Sequence, residues 1–147
     1  MPEEREPVDV EALVIDHLEQ DAGLGALVGG TGNAASVATE LPAGFPAEGR
    51  AFVQVFRVSA TEVDPETGHI ERAIVQANSY GASKVEAWDV HAQTHRAMRA
   101  ARSSTHALGV VTAVERVSGP TWSPDPRTAA PRYTAAYAVT VHPTPSG

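Results

Sequence analysis

The chain has 147 residues, a length that suits one domain burying roughly 70% of the surface its unfolded form exposes. Hydrophobic residues make up 42%, yet only two Trp, three Tyr and three Phe are among them, so the core must be built from Val, Ala, Leu and Ile, which favours a lean sheet with alanine-rich helices over a deep aromatic pocket. A formal charge of -7 argues against nucleic-acid binding as the main task, and the lack of cysteine excludes disulfides, a thiol nucleophile and cysteine metal sites.

The charge is unevenly placed. Glu3, Glu4, Glu6, Asp9, Glu11, Asp16, Glu19 and Asp21 stand against Arg5 alone, whereas Lys84, Arg96, Arg99 and Arg102 fall together later in the chain. Two solvated helix faces of opposite sign account for this, and so does pairing between copies of the chain. Apolar runs of a few residues exclude a membrane-spanning helix, and the polar, acidic start is unlike a signal peptide, so the chain is expected to be made and kept in a cytoplasm.

In chain order, Asp9 can cap a helix over about 9–21 whose Leu13, Val14 and Leu18 share a face, with Asp21-Ala22-Gly23 as the stop. Residues 23–33 read as a glycine-rich turn, 35–41 as a short strand and 42–50 as a loop. Alternation marks a strand over 51–58, with Val53 and Val55 on one side and Phe52, Gln54 and Phe56 on the other. A turn over 64–68 returns the chain as a partner strand over 70–80. Ser83 and Glu86 form a capping box for a helix over about 84–105, with Val85, Trp88, Ala92, His95, Met98 and Ala101 as its apolar stripe. A strand over 110–117, a turn-rich loop over 118–131 and a strand over 132–142 complete the order α-β-β-β-α-β-β. The economical packing is an α+β fold: a mostly antiparallel sheet of four to five strands with two helices on one face, forming a single domain over 1–147 with flexible ends at 1–7 and 143–147.

Residues that invite a chemical reading are few. Gly29-Gly30-Thr31-Gly32 lacks both the following Lys-Ser/Thr pair and the preceding strand of a phosphate loop. His91 and His95 are four apart on a helix, as zinc ligands are, but Ala92 stands where a metalloprotease carries its general base, and no further ligand cluster lies near. The acidic N-terminus is explained by solvation, and no nucleophile-elbow pattern occurs. No catalytic residue, cofactor or metal is expected.

More informative is Val117-Ser118-Gly119-Pro120-Thr121-Trp122-Ser123-Pro124-Asp125-Pro126, followed by Pro131-Arg132-Tyr133. Prolines stiffen this connection, and its Trp122 either tucks under the sheet or projects into a partner. Together with Val-Asp-Val-Glu-Ala-Leu-Val-Ile-Asp-His-Leu in the first helix, the central hairpin and Ala-Ser-Lys-Val-Glu-Ala-Trp-Asp-Val in the second, it resembles the tail terminators of siphovirus-type bacteriophages of actinobacteria, from about Val8 to Val141. The stretches 23–33 and 42–50 depart from that pattern and carry no role.

The resemblance implies a structural virion protein and not an enzyme: a ring, usually of six copies, that caps the head-proximal end of the tail. Its partners would be further copies of itself, the major tail tube protein, the head-side connector or stopper, and genomic DNA passing unread through the lumen. Interface candidates are then Trp122, Asp125, Arg132, Tyr133, Arg96, Arg99 and Arg102, and lumen or tube-contact candidates are Glu62, Asp64 and Glu66 at the hairpin tip. The competing readings are another head-tail joint or tube-like protein, and a small α+β ligand-binding or enzymatic domain.

Overall fold

The computed structural model of the chain describes residues 8–28, 37–40, 51–63 and 70–143, the side chain of Glu62 excepted. Helix α1 (Val10–Glu19) begins where Asp9 accepts the Ala12 amide at 3.0 Å, and it buries Val10, Leu13, Val14 and Leu18. Asp21, expected as part of a stop, instead accepts the Leu24 amide at 2.7 Å and opens α2 (Ala22–Val28). A carboxylate that relieves unpaired N–H groups can start a second helix as readily as it can follow a first, and Leu24 and Val28 reward the restart by reaching the core.

Strand β1 (Val37–Ala38) pairs in parallel with β2 (Phe52–Glu62), an exception to the antiparallel rule of the rest. The expected glycine-rich turn over 23–33 is helical through Val28, and its remainder, 29–33, lies outside the described residues, as does the loop 42–50. Strand β2 runs past the expected end at 58 and pairs with β3 (Glu71–Tyr80) from Phe52 opposite Tyr80 to Glu62 opposite Glu71, with a bulge at Val58. Asp64, Glu66 and their turn lie outside the described residues, as does the Glu62 side chain.

Helix α3 (Lys84–Ala100) shows the Ser83 half of the expected capping box, with Ser83 Oγ accepting the Glu86 amide at 3.2 Å, while Glu86 Oε1 reaches one residue past the N-cap to accept the Ala82 amide at 3.1 Å. The helix ends before the expected residue 105. Ser103 takes a left-handed φ of 62°, which a continuing helix does not allow, the Ser104 amide and hydroxyl turn back to the Ala101 carbonyl, and β4 (Ser104–His106) leaves to pair with the start of β5 (Gly109–Trp122). The expected stripe on α3 is corrected as well. Val85 and Trp88 are exposed, while Ala87, Val90, His91, Thr94, Ala97 and Met98 are buried, because small residues at 87, 94 and 97 let the helix come close to the sheet and to α1.

Strand β6 (Arg132–His142) inserts between β3 and β5, giving one sheet in the order β1-β2-β3-β6-β5-β4. Among the described residues six strands and three helices thus stand where four to five and two were expected, within the same α+β architecture. The helices cover one face: Val53, Val55, Val75, Ala77, Tyr137, Val139 and Val141 join Leu13, Leu18, Val90 and Met98 in one core. On the other face Gln76 donates to Asn78 at 2.9 Å and Asn78 to Gln54 at 3.0 Å. Helix α1 lies against α3, with His17 Nε2 at 2.7 Å from the Ala97 carbonyl and Gln93 donating to Asp21 at 3.2 Å. No described helix is long and apolar enough to cross a membrane.

Candidate protein-protein interface

Strand β5 is longer than its sequence suggests and absorbs residues 118–122 of the expected loop. It continues through Gly119 and Pro120, joined by a cis peptide bond, to Trp122, with register irregularities between Arg116 and Thr121; the connecting loop is only 123–131. Pro120 survives here because, among the described residues, the outer edge of β5 is paired only with β4 near its start, so its missing N–H leaves no ladder bond unmade.

Trp122 sits opposite Tyr133 in the β5–β6 pairing, with ring centroids 5.2 Å apart. Trp88, one turn into α3, meets the same tyrosine edge-on at 5.2 Å, and Lys84 Nζ lies 4.8 Å from the Trp122 ring centroid. Tyr133 is thus the hub of a patch whose two tryptophans remain 46% and 38% exposed at positions 88 and 122, with Val85 exposed beside them. Clustered, half-exposed aromatics held by a rigid strand end and a helix start have the composition of a binding hot spot.

The same flank of α3 continues away from the patch. His91 stacks on His95 at 6.1 Å and His95 on Tyr137 at 5.8 Å, with His95 Nδ1 3.1 Å from the Tyr137 hydroxyl. The two imidazoles lie nearly parallel, and no group of three metal-binding side chains occurs among the described residues. Burial, then His95 and Arg116, lower the His91 pKa to about 4, and burial followed by Arg116 and Arg99 lowers that of His95. Burial also raises the Tyr137 phenol to about 12. Beyond His95 the flank opens into a cleft of about 290 Å³ lined by His95, Arg99, Val114, Glu115, Arg116 and Tyr137.

The interface residues expected from the sequence are divided by strand alternation. Tyr133 and Trp122 lie on the helix-bearing face, whereas Arg132 pairs opposite Tyr80 on the other face. Asp125 is buried; it accepts the amides of Arg127 at 2.8 Å and Thr128 at 3.3 Å and the Tyr80 hydroxyl at 3.2 Å. Burial pushes the Asp125 pKa up, but these donors and Arg132 outweigh it, and the carboxyl is held below its ordinary value. Arg132 donates from Nε to the Ser123 carbonyl at 2.8 Å and from a terminal nitrogen to Tyr80 at 3.4 Å. Both charged residues therefore brace the loop behind Trp122. Of the three α3 arginines, Arg99 lines the cleft, Arg96 donates to Gln93 at 3.0 Å on another side of the helix, and Arg102 is exposed beyond the helix end. Lys84 belongs to the basic group that the sequence offers for pairing between copies, whereas Val85, Trp88, His95, Arg116 and Tyr137 are not among its interface candidates; Val85, Trp88 and His95 read there as the apolar stripe of the helix.

No protein-family model and no curated relative matches the sequence. Among solved structures the chain is similar to one described as "Virion of native gene transfer agent (GTA) particle", with a TM-score of 0.65 and 17% identity over 90% of this chain and 94% of that one. The likeness shows a shared fold along nearly the whole length of both chains.

Proposed function

We propose that this chain is a structural virion protein of the tail-terminator type, which assembles as a ring of six copies at the head-proximal end of a phage-like tail, ends tube growth and joins the tail to the head connector. The observation that carries this reading is the fold shared over nearly the full length with a chain of a gene transfer agent virion. Fold likeness alone is an analogy. The exposed Trp88–Tyr133–Trp122 patch adds a physical reason for assembly, because a monomer gains nothing from leaving two tryptophans in water.

The form of the contact follows from the edge strand. Register irregularities and Pro120 blunt β5 against simple strand addition, so copies meet through side chains presented by the α3–β5 flank rather than by extending the sheet. A contact between two different surfaces of the same chain repeats around a rotation axis and closes as a ring. In such a ring the acidic residues Glu62, Asp64 and Glu66 would meet the tube or the lumen, where negative charge repels DNA phosphate and lets the genome slide. The partners are copies of the chain, tube subunits and the connector; no catalytic step is assigned.

Light scattering of the purified protein, alone and with tube protein, tests the reading. Six copies of a 15.4 kDa chain weigh about 92 kDa, and negative-stain images should show rings and capped tubes. A 15.4 kDa species under every condition, with tubes growing unchecked, overturns it.

A further inference from the structure

We propose that the cleft between α3 and β5, walled by His95, Arg99, Arg116 and Tyr137, accepts a carboxylate from α1 of a second copy of this chain. The proposal rests on the ring reading above and names the contact that closes it.

The chemistry of the cleft selects an anion. Two guanidinium groups and an imidazole line an open space of about 290 Å³, with the buried Tyr137 phenol bonded to the imidazole behind it, a size and donor set suited to a carboxylate side chain. Its one acidic neighbour does not fill it. Arg116 pairs opposite Tyr137 and so projects to the helix-bearing face, whereas Glu115 pairs opposite Ala138 and projects to the other. The groups facing His95 are His91 and Arg99 from its own helix, Arg116 from β5 and Tyr137 from β6; burial first, and then the charges of Arg116 and Arg99, hold its pKa down.

The complementary surface is on the same chain. Asp16 is exposed on α1 with Glu19 a turn away, and burial, then the Asp16 charge, raises the Glu19 pKa, so a cation brought against this surface would favour the Glu19 carboxylate. This surface does not reach its own cleft by the packing of α1. That helix and the start of α2 contact α3 at Ala97 and Gln93, and residues two apart on a helix point about 200° from each other, so His95 and Arg99 face the opposite flank. An acidic surface on one flank and a basic cleft on the other repeat head to tail from copy to copy, which is the arrangement a heterologous ring needs.

Paired charge reversals in the full-length protein test this. The cleft variant carries Arg99→Glu and Arg116→Glu; the helix variant carries Asp16→Lys and Glu19→Lys. Each alone should remain at the single-chain mass of 15.4 kDa, because like charges then meet at every contact, while an equimolar mixture should recover the parent's mass, because both contacts are complementary when the two alternate. Thermal melts establish that each variant is folded, and Arg116→Glu and Asp16→Lys, both at exposed positions, replace any double variant that is not. Variants that each assemble as the parent does overturn the cleft proposal and leave the ring standing, as does a mixture that fails to recover. A parent that never assembles overturns both.

Discussion

The Tyr80 hydroxyl lies between Asp125 and Arg132, donating to Asp125 Oδ2 over 3.2 Å and accepting from Arg132 at 3.4 Å. A strand-end tyrosine thereby ties the 123–131 loop to the far side of the sheet. Tyr80→Phe leaves the buried Asp125 carboxylate short of one donor and should lower stability by about 1–3 kcal/mol. Arg132→Lys, which cannot reproduce the fork to Ser123 and Tyr80, should cost a similar amount. Denaturant melts check both; no change in midpoint for either would mean that the loop is held by its backbone bonds alone.

His91 makes stability depend on pH. Its pKa falls from 6.5 to about 4 on folding, so between those values the unfolded chain binds a proton that the folded chain refuses. The contribution is fully present above pH 6.5, declines as pH falls, and reaches its limit near pH 4, a loss of about 3 kcal/mol. His91→Gln should flatten the dependence of melting temperature on pH across that window relative to the parent. Parallel curves for the two proteins would reject the assignment.

The aromatic patch should matter more for assembly than for folding. Trp122 and Trp88 are 38% and 46% exposed, so Trp122→Ala or Trp88→Ala should cost about 1–2 kcal/mol rather than the roughly 3–5 kcal/mol of a core truncation. Ring formation should be lost in either variant while the melting temperature falls by only roughly 3–8 °C. A large fall in melting temperature for Trp122→Ala would place that residue in the core and remove it from the interface.

Gly119 has φ +80°, and a Cβ there would collide with the Thr134 carbonyl oxygen and crowd Ala135. Gly119→Ala should destabilise by about 2 kcal/mol or more and disturb the Trp122–Tyr133 contact three residues on. Near-ultraviolet circular dichroism reports the aromatic contact directly. An unchanged spectrum with an unchanged melt would contradict the argument.

Much of the architecture was legible along the chain because it depends on near neighbours. The Asp9 cap, the Ser83 half of the capping box and the alternation of Ala135, Tyr137, Val139 and Val141 each follow from rules that act within a few residues, and each appears in the structure. Element boundaries were less legible. Asp21 could end or begin a helix, and α3 stops short because Ser103 turns to a left-handed φ of 62°, a conformation that serine does not advertise in the sequence. The composition of the candidate interface belonged to tertiary structure alone. Trp122 was visible as an isolated aromatic in a stiff segment, but its meeting with Tyr133 and Trp88 depends on the register of β5 against β6 and on which face α3 turns inward. The same register sends Tyr133 toward the helices and Arg132, its neighbour, to the opposite face, and it brings Arg116 to His95. Register and helix rotation are settled by burying Val, Ala, Leu and Tyr side chains from distant segments in one core, so no window of sequence contains the information that assembles this surface.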